Sequence, residues 1–310
     1  MPPTTSVKLL LVAITVFALP AYIHGATLKL NCDSATHPTI SAALRTLKPE
    51  ETNTVEVSGH CKENVLIQGF DRLTLISPTG ATIQDASNGI SLVVDIDDSR
   101  RVTMQGFTVN GGLGVQCANS SVCYLTGNTV QSSMGDGVGV FSASSAYLSG
   151  NVVQNNAGRG LALNTGSTVF SLADTFQGNT DSGIRVLASH LYCVGSVVKN
   201  NGNNGNAGVL ARENSTLRFD SGTISDNSSD GVLLGGGAEG RFGGVVTGNG
   251  GSGVSVNDLS FALFQGAAVT GNLGGTDVLC NPQFSATRGA LTDIGGGKTN
   301  CVEPARVKSR

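Results

Sequence analysis

One short stretch concentrates side chains that could do chemistry. It is the sequence VVDIDDSRR at residues 93–101, and its charged residues are Asp95, Asp97, Asp98, Arg100 and Arg101. Three carboxylates can hold Ca²⁺ through oxygen ligands, and a nearby guanidinium can hold a carboxylate of a ligand. Glycoside hydrolysis needs two carboxyl groups roughly 5–9.5 Å apart, which Asp95 and Asp97 could supply. The alternative is a solvated strand edge and turn in which opposite charges screen one another.

Two arginines and one histidine are further candidates. Arg185 and Arg212 lie in neighbouring repeats at slightly different positions, and together they could grip an acidic glycan. Isolated surface arginines are common, however, and need no ligand. His190 and Tyr192 precede a cysteine that the repeat places in the core, Cys193, and no carboxylate partner is recognisable. We therefore interpret His190 as a structural residue.

The composition favours a protein with many short strands and excludes one class of partner. The chain has 310 residues with 43 glycines, 39% hydrophobic and only 13% charged residues. That apolar fraction is too high for a disordered glycine-rich chain, which could not bury enough surface to offset its ordering entropy. The formal net charge of −3 provides no basic field, so we expect no nucleic-acid partner.

The N-terminus predicts export. Lys8 precedes an apolar run over residues 9–19, which is followed by Pro20 and small residues near Ala26. This order is typical of a secretory signal peptide, and the run is shorter than the roughly 20 residues of a membrane-spanning helix. We predict a signal peptide at 1–26, no membrane association after its cleavage, and a secreted, periplasmic or extracellular protein. An uncleaved anchor is the alternative.

Seven cysteines fit an oxidising compartment. Local pairing predicts three disulfides, Cys32–Cys61, Cys117–Cys123 and Cys280–Cys301, and leaves Cys193 unpaired in the core. Connectivity does not follow from sequence alone. No CxxC or cysteine–histidine cluster with the spacing of a metal site occurs.

The middle of the chain repeats every 22 to 25 residues. Each unit opens with a glycine and an aliphatic residue, and these glycines are Gly137, Gly160, Gly183, Gly208, Gly231 and Gly253. An asparagine recurs in phase, at Asn156, Asn179, Asn201, Asn227, Asn249 and Asn272. Apolar residues alternate within each unit, which indicates half-buried strands. We expect stacked coils of three short strands, glycines that supply positive φ, and an asparagine ladder between coils.

The ends of the repeat predict caps. Thr39 can cap a short amphipathic helix over residues 40–47 that would cover the first coil, and the pattern dissolves after Cys280. We predict an N-terminal cap and first strand at 27–60, a parallel β-helix at 61–280 and a C-terminal cap and tail at 281–310. The sequence lacks the LxxLxLxxN motif of a leucine-rich repeat and the tandem GGxGxD motifs of a calcium-binding β-roll. Both folds are therefore disfavoured.

The unit "DG-V-V…S…L-G-N-V-x-x-N" resembles the repeat of the pectin-lyase-like superfamily, and the likeness covers about residues 28–280. As a whole the chain is similar to exported bacterial members with no assigned activity. The resemblance implies an all-β, single-domain, right-handed parallel β-helix of about ten coils. It also implies that a ligand would lie along the outer face of the first strand of each coil. The outward residues there are Asp95, Gln116, Gly139, Ala162, Arg185, Leu210, Leu233 and Ser255, then Asp97, Ala118, Phe141, Asn164, Leu187, Arg212, Gly235 and Asn257.

The superfamily's catalytic motifs are absent. The sequence has no Gly-His-Gly, no tryptophan for a WIDH motif, and no QDTL, DFIFG or DPHD. We therefore expect a binding protein that presents a long face to extracellular polysaccharide, without a required cofactor. A divergent polysaccharide lyase or hydrolase is the second hypothesis, with Asp95, Asp97 or Asp98 acting beside Arg100 or Arg101. A structural or adhesion rod is the third, and the oligomeric state does not follow from the sequence.

Overall fold

Alternation of apolar and polar residues shapes nearly the whole chain into short strands. The computed structural model describes residues 25–36, 38–281, 286–288 and 294–301. Each coil contributes three strands, and each strand pairs in parallel with its counterparts in the neighbouring coils. The proposed signal peptide lies outside the described residues, apart from its last two positions. Within the described part, no helix is long and apolar enough to cross a membrane.

The strands form three parallel sheets, which we name by their order within a coil. The leading sheet has ten strands: β4 (Val65–Gln68), β7 (Val94–Asp97), β10 (Val115–Ala118), β13 (Val138–Val140), β16 (Leu161–Leu163), β19 (Ile184–Leu187), β22 (Val209–Arg212), β25 (Val232–Leu234), β28 (Val254–Val256) and β31 (Val278–Cys280).

The central sheet has twelve strands. They are β1 (Thr27–Asn31), β2 (Asn53–Ser58), β5 (Leu73–Ile76), β8 (Val102–Gln105), β11 (Val122–Thr126), β14 (Ser145–Ser149), β17 (Thr168–Leu172), β20 (His190–Val194), β23 (Thr216–Asp220), β26 (Glu239–Phe242), β29 (Phe261–Phe264) and β32 (Ala286–Arg288).

The trailing sheet has ten strands. They are β3 (His60–Lys62), β6 (Thr82–Gln84), β9 (Thr108–Asn110), β12 (Thr129–Gln131), β15 (Val152–Gln154), β18 (Thr175–Gln177), β21 (Val197–Lys199), β24 (Thr223–Ser225), β27 (Val245–Thr247) and β30 (Ala268–Val269). The three sheets make a single-domain parallel β-helix of about eleven turns, so the predicted architecture is confirmed.

One short helix, α1 (Ile40–Leu44), lies near the N-terminal end. The Thr39 hydroxyl accepts a hydrogen bond from the Ala42 amide at 3.1 Å, as a helix N-cap does. The buried Glu63 carboxylate accepts bonds from the Ile40 and Ser41 amides at 2.7 and 2.9 Å, and it satisfies donors that a helix leaves free. That α1 closes the end of the core stays a prediction.

The repeated glycines have a different role from the one expected. None of the six that open the units has positive φ. A Cβ on Gly160 would lie 2.5 Å from the Gly183 carbonyl oxygen of the next coil and 2.8 Å from the Asn179 amide nitrogen. Glycine recurs at this position because adjacent coils approach too closely for a side chain.

Two polar ladders connect the coils. In the first, the Asn156 Nδ2 donates to the Asn179 Oδ1 at 2.9 Å, and the pattern continues through Asn201, Asn227, Asn249 and Asn272. The Asp277 carboxylate accepts the last bond at 2.9 Å.

The sequence analysis missed the second ladder. It joins Asn128 to Asn151 at 3.1 Å and Asn151 to Asp174 at 2.9 Å, at the turn between the central and trailing sheets. All the ladder side chains are buried, so their amides satisfy one another where water cannot.

All three predicted disulfides are present, with Cα–Cα distances of 5.1, 6.4 and 5.1 Å for Cys32–Cys61, Cys117–Cys123 and Cys280–Cys301. Cys193 is a free thiol that is fully buried in the core. Burial raises the pKa of this thiol to about 12, and the negative charge of Asp174 acts in the same direction.

Candidate functional site

The leading sheet has the register that the sequence predicts. Asp95 pairs with Gln116 and Arg185 pairs with Leu210, so the predicted outward residues form one file along the helix. Much of that file is closed to solvent, because Ala162 and Ser255 are buried. At Gly139, an added Cβ would lie only 2.5 Å from the Phe141 ring, which covers this position.

Asp95 and Asp97 share the outer side of β7. Burial raises the pKa of Asp95, and the negative charge of Asp97 raises it further. A hydrogen bond from the Gln116 Nε2, 3.3 Å from the Asp95 Oδ1, opposes both effects. Asp97 accepts bonds from Gln68 at 3.0 Å and from Asn119 at 2.5 Å. Side-chain amides therefore donate hydrogen bonds to both carboxylates.

The third carboxylate, Asp98, lies in the turn after β7 with a φ of 42°. Among the described residues, the one group of three possible metal ligands within 4.8 Å of one another is Cys32, Cys61 and Glu63, and its cysteines form a disulfide. The three aspartates do not converge in this way. Calcium binding at Asp95, Asp97 and Asp98 stays a prediction that would require side-chain movement.

The neighbouring arginines face a different carboxylate. The Arg101 guanidinium makes three contacts with Asp71, at 2.6, 2.6 and 2.9 Å. These bonds hold the pKa of Asp71 below its usual value, and the charges of Arg72 and Arg100 act in the same direction. Arg101 therefore binds an aspartate in the corresponding turn of the preceding coil. Arg100 is exposed, and its backbone bridges to Asp71.

Arg185 and Arg212 lie on adjacent strands, displaced by two residues. Arg185 is half-buried, and burial lowers its pKa, as does the positive charge of Arg159. The Arg159 guanidinium bridges two carboxylates of successive turns, at 3.3 Å from Asp136 and 3.1 Å from Asp181. The sequence analysis did not identify this bridge. Asp136 and Arg159 each directly precede a unit-opening glycine, whereas Asp181 lies two residues before Gly183.

The central sheet carries a file of residues that the sequence analysis also missed. Parallel pairing aligns one outward side chain from each of six successive coils, which we call the central file: Tyr124, Tyr147, Phe170, Tyr192, Arg218 and Arg241. The Tyr124 and Tyr147 rings stack with centroids 5.1 Å apart, and Phe170 meets Tyr192 edge to face at 5.3 Å. Tyr147 is 49% exposed.

A charged network continues the file. The Arg218 guanidinium lies 4.3 Å from the centre of the Tyr192 ring, a favourable cation–π distance. Arg218 Nε donates to Asp220 Oδ2 at 2.7 Å, and the Tyr192 hydroxyl reaches the same oxygen at 3.2 Å. The hydrogen bond to Asp220 raises the pKa of Arg218. His190 is exposed beside this network, and its Nδ1 lies 3.1 Å from the Thr216 hydroxyl.

A signal for the central file was present in the sequence. The second strand of four successive units reads CYLTG, AYLSG, VFSLA and LYCVG, with one aromatic residue at the same place in each. All three tyrosines of the described residues lie there.

The repeats over residues 88–242, which are half of the chain, match the right handed beta helix region family. The chain belongs to that family, and the predicted right-handed, pectin-lyase-like fold is confirmed. No curated protein matches the sequence.

Solved structures agree on the fold. The Azotobacter vinelandii mannuronan C-5 epimerase AlgE4 A-module is similar with a TM-score of 0.60 and 15% identity, over 80% of each chain. A periplasmic alginate epimerase AlgG variant has a TM-score of 0.59 and 11% identity, over 87% of this chain and 76% of its own. The Geobacillus virus E2 protein ORF18 has a TM-score of 0.54 and 12% identity, over 81% and 59%. At such identities the likeness concerns the fold alone.

Proposed function

We propose that this protein is exported and binds an extended polysaccharide along the central file. The single observation that carries the proposal is the alignment of four partly exposed aromatic rings with two arginines on successive coils. Aromatic rings offer apolar surface to the C–H faces of sugars, and convergent polar groups give specificity. Arginine adds planar donors for hydroxyl or carboxylate groups.

The repeat of the coils suits such a ligand. Neighbouring strands in a sheet are about 4.8 Å apart. The central file therefore places one side chain at each such interval along the axis of the β-helix. A polymer of similar sugars would meet a similar environment at each step. The leading face is a poorer candidate, because Phe141, Ala162 and Ser255 close part of its outward file.

Export is supported by two independent features. The chain has three disulfides, which persist in oxidising compartments. Its first 26 residues have the order of a signal peptide. Detection of the mature protein in the periplasm or medium, beginning near Ala26 or Thr27, would test this part of the proposal.

The binding test compares the two faces. We expect Tyr147→Ala and Arg218→Ala each to weaken binding to a responsive polysaccharide about tenfold, which corresponds to ~1.4 kcal/mol. Arg185→Ala on the leading sheet is the matched control and should leave affinity unchanged. Isothermal titration calorimetry with neutral and acidic polysaccharides measures the affinity of each variant. No binding to any member of the panel, or a loss confined to Arg185→Ala, would refute the assignment.

A second function is favoured by the raised pKa of Asp95 beside the negative charge of Asp97. A raised pKa favours the protonated form of a carboxyl group, which is the form that a general acid needs in glycosidases. This is the divergent hydrolase or lyase hypothesis. It predicts release of reducing or unsaturated sugar that Asp95→Asn abolishes and Tyr147→Ala merely reduces.

A further inference from the structure

We propose that Tyr124 and Tyr147 form a site of oxidative modification, at which a one-electron oxidant joins their rings by a carbon–carbon bond. The proposal does not depend on polysaccharide binding. It rests on the register of the central sheet and on the geometry of the two rings.

The two tyrosines are held face to face by the backbone. Tyr124 of β11 and Tyr147 of β14 are direct partners in a parallel pair, so their side chains leave the sheet in the same direction. Their ring centroids are 5.1 Å apart, and the ring planes differ by only 10°. In this arrangement, the two phenol rings lie nearly parallel beside each other on one face of the sheet.

An oxidant can reach this pair. Tyr147 is 49% exposed, and Tyr124 is partly exposed on the same face. Among the described residues, neither phenol takes part in an ion-pair network such as the one that includes Tyr192. The adjacent disulfide, Cys117–Cys123, joins β10 to β11 directly before Tyr124.

The chain provides its own control in the third tyrosine of the file. Phe170 lies between Tyr147 and Tyr192 in the central file and pairs with both of them. A phenylalanine has no hydroxyl and forms no phenoxyl radical, so Tyr192 has no tyrosine neighbour within the central file. Tyr22 lies outside the described residues.

The chemistry balances with hydrogen peroxide and a haem peroxidase as the oxidant. Each phenol gives up one electron and its hydroxyl proton, which leaves two phenoxyl radicals. The radicals combine at the ring carbons next to oxygen, and the hydrogen on each of those carbons then moves to its oxygen to restore the phenol. The protein loses two hydrogen atoms, and one peroxide is reduced to two waters.

The test is peroxidase treatment of the dilute full-length chain, followed by mass spectrometry of the intact protein and of its peptides. We expect a monomer lighter by two hydrogens, a linked peptide pair containing Tyr124 and Tyr147, and the fluorescence of coupled tyrosine. Tyr147→Phe and Tyr124→Phe should each abolish all three signals. Tyr192→Phe should retain them.

Both tyrosine-to-phenylalanine changes in the pair keep the ring and remove only the hydroxyl, so circular dichroism should show an unchanged fold. Free tyrosine in the same reaction verifies that the oxidant is active. The proposal is overturned if free tyrosine couples while the protein does not, if the product persists in Tyr147→Phe, or if only cross-links between molecules form.

Discussion

The Asn151 Nδ2 donates a hydrogen bond to the Asp174 Oδ1 at 2.9 Å, so an aspartate occupies a step of a buried amide ladder. The Ser171 hydroxyl donates to the other carboxylate oxygen at 2.6 Å. Burial raises the pKa of Asp174, although the hydrogen bonds from Ser171 and Asn151 oppose it. A carboxylate here is less favourable than the amide that an asparagine would provide.

Replacement of this aspartate should change how stability depends on pH. Because the folded pKa of Asp174 is raised above the unfolded value, its favourable contribution is present at acid pH and is lost as the pH rises through the folded pKa. Asp174→Asn removes this loss. We expect the variant to be more stable than the wild type at neutral pH and to lose this advantage at strongly acid pH.

Urea unfolding at several pH values provides the measurement. A difference between Asp174→Asn and the wild type that does not grow from acid to neutral pH would contradict the pKa argument. Asp226→Asn is a suitable control, since Asp226 is an exposed aspartate in a turn.

The long asparagine ladder should be sensitive at its centre. The Asn201 Oδ1 accepts from both the backbone amide and the side chain of Asn179, at 3.0 and 2.9 Å. Asn201→Ala removes the acceptor of both bonds, although the Asn179 Nδ2 keeps its bond to the Val153 carbonyl. The buried Asn179 backbone amide loses its acceptor, at a cost of about 1–3 kcal/mol for each unsatisfied group. Asn164→Ala, at a partly exposed position, should change stability little. Equal effects of the two variants in chemical unfolding would argue against a structural role for the ladder.

The glycines that open the units should tolerate no side chain. Gly160→Ala places a Cβ 2.5 Å from a backbone carbonyl, and the strain should destabilise the fold by about 1–3 kcal/mol. In Gly235→Ala, the nearest atom lies 3.4 Å away, so that variant is a matched control. Thermal unfolding of both variants tests the close-approach argument, which fails if Gly160→Ala is as stable as Gly235→Ala.

Cys193 should be inert in the folded protein. Its thiol is fully buried, and its pKa is raised to about 12, so almost no reactive thiolate forms at neutral pH. We expect iodoacetamide to label Cys193 only after unfolding in denaturant, as measured by mass spectrometry. Rapid labelling under native conditions would show that the core opens at this coil.

Repetition made the fold predictable. One glycine, one asparagine and a pair of alternating aliphatics in each unit give the coil length and the side of each strand that faces the core. The disulfide pairs were also predictable from the sequence, because each joins cysteines at a cap or within one coil.

The contacts of the candidate sites were harder to predict from the sequence. Asp95 and Asp97 lie on one face as expected, but the side-chain amides that bind Asp97, from Gln68 and Asn119, come from other coils. The link from Arg101 to Asp71 likewise spans 30 residues. Side-chain partners of this kind depend on rotamers and on turn geometry, which the repeat pattern does not encode.

The sequence by itself determined a stack of parallel coils, since a strand with one apolar face can bury it only against its own repeats. The tertiary structure decided which outward side chains stay open to solvent. Phe141 folds over the leading face, while Tyr147 remains exposed on the central one. Phe141 covers Gly139 of its own coil, whereas the Tyr147 ring stacks on Tyr124 of the preceding coil. Both contacts depend on side-chain rotamers, which the repeat pattern does not encode.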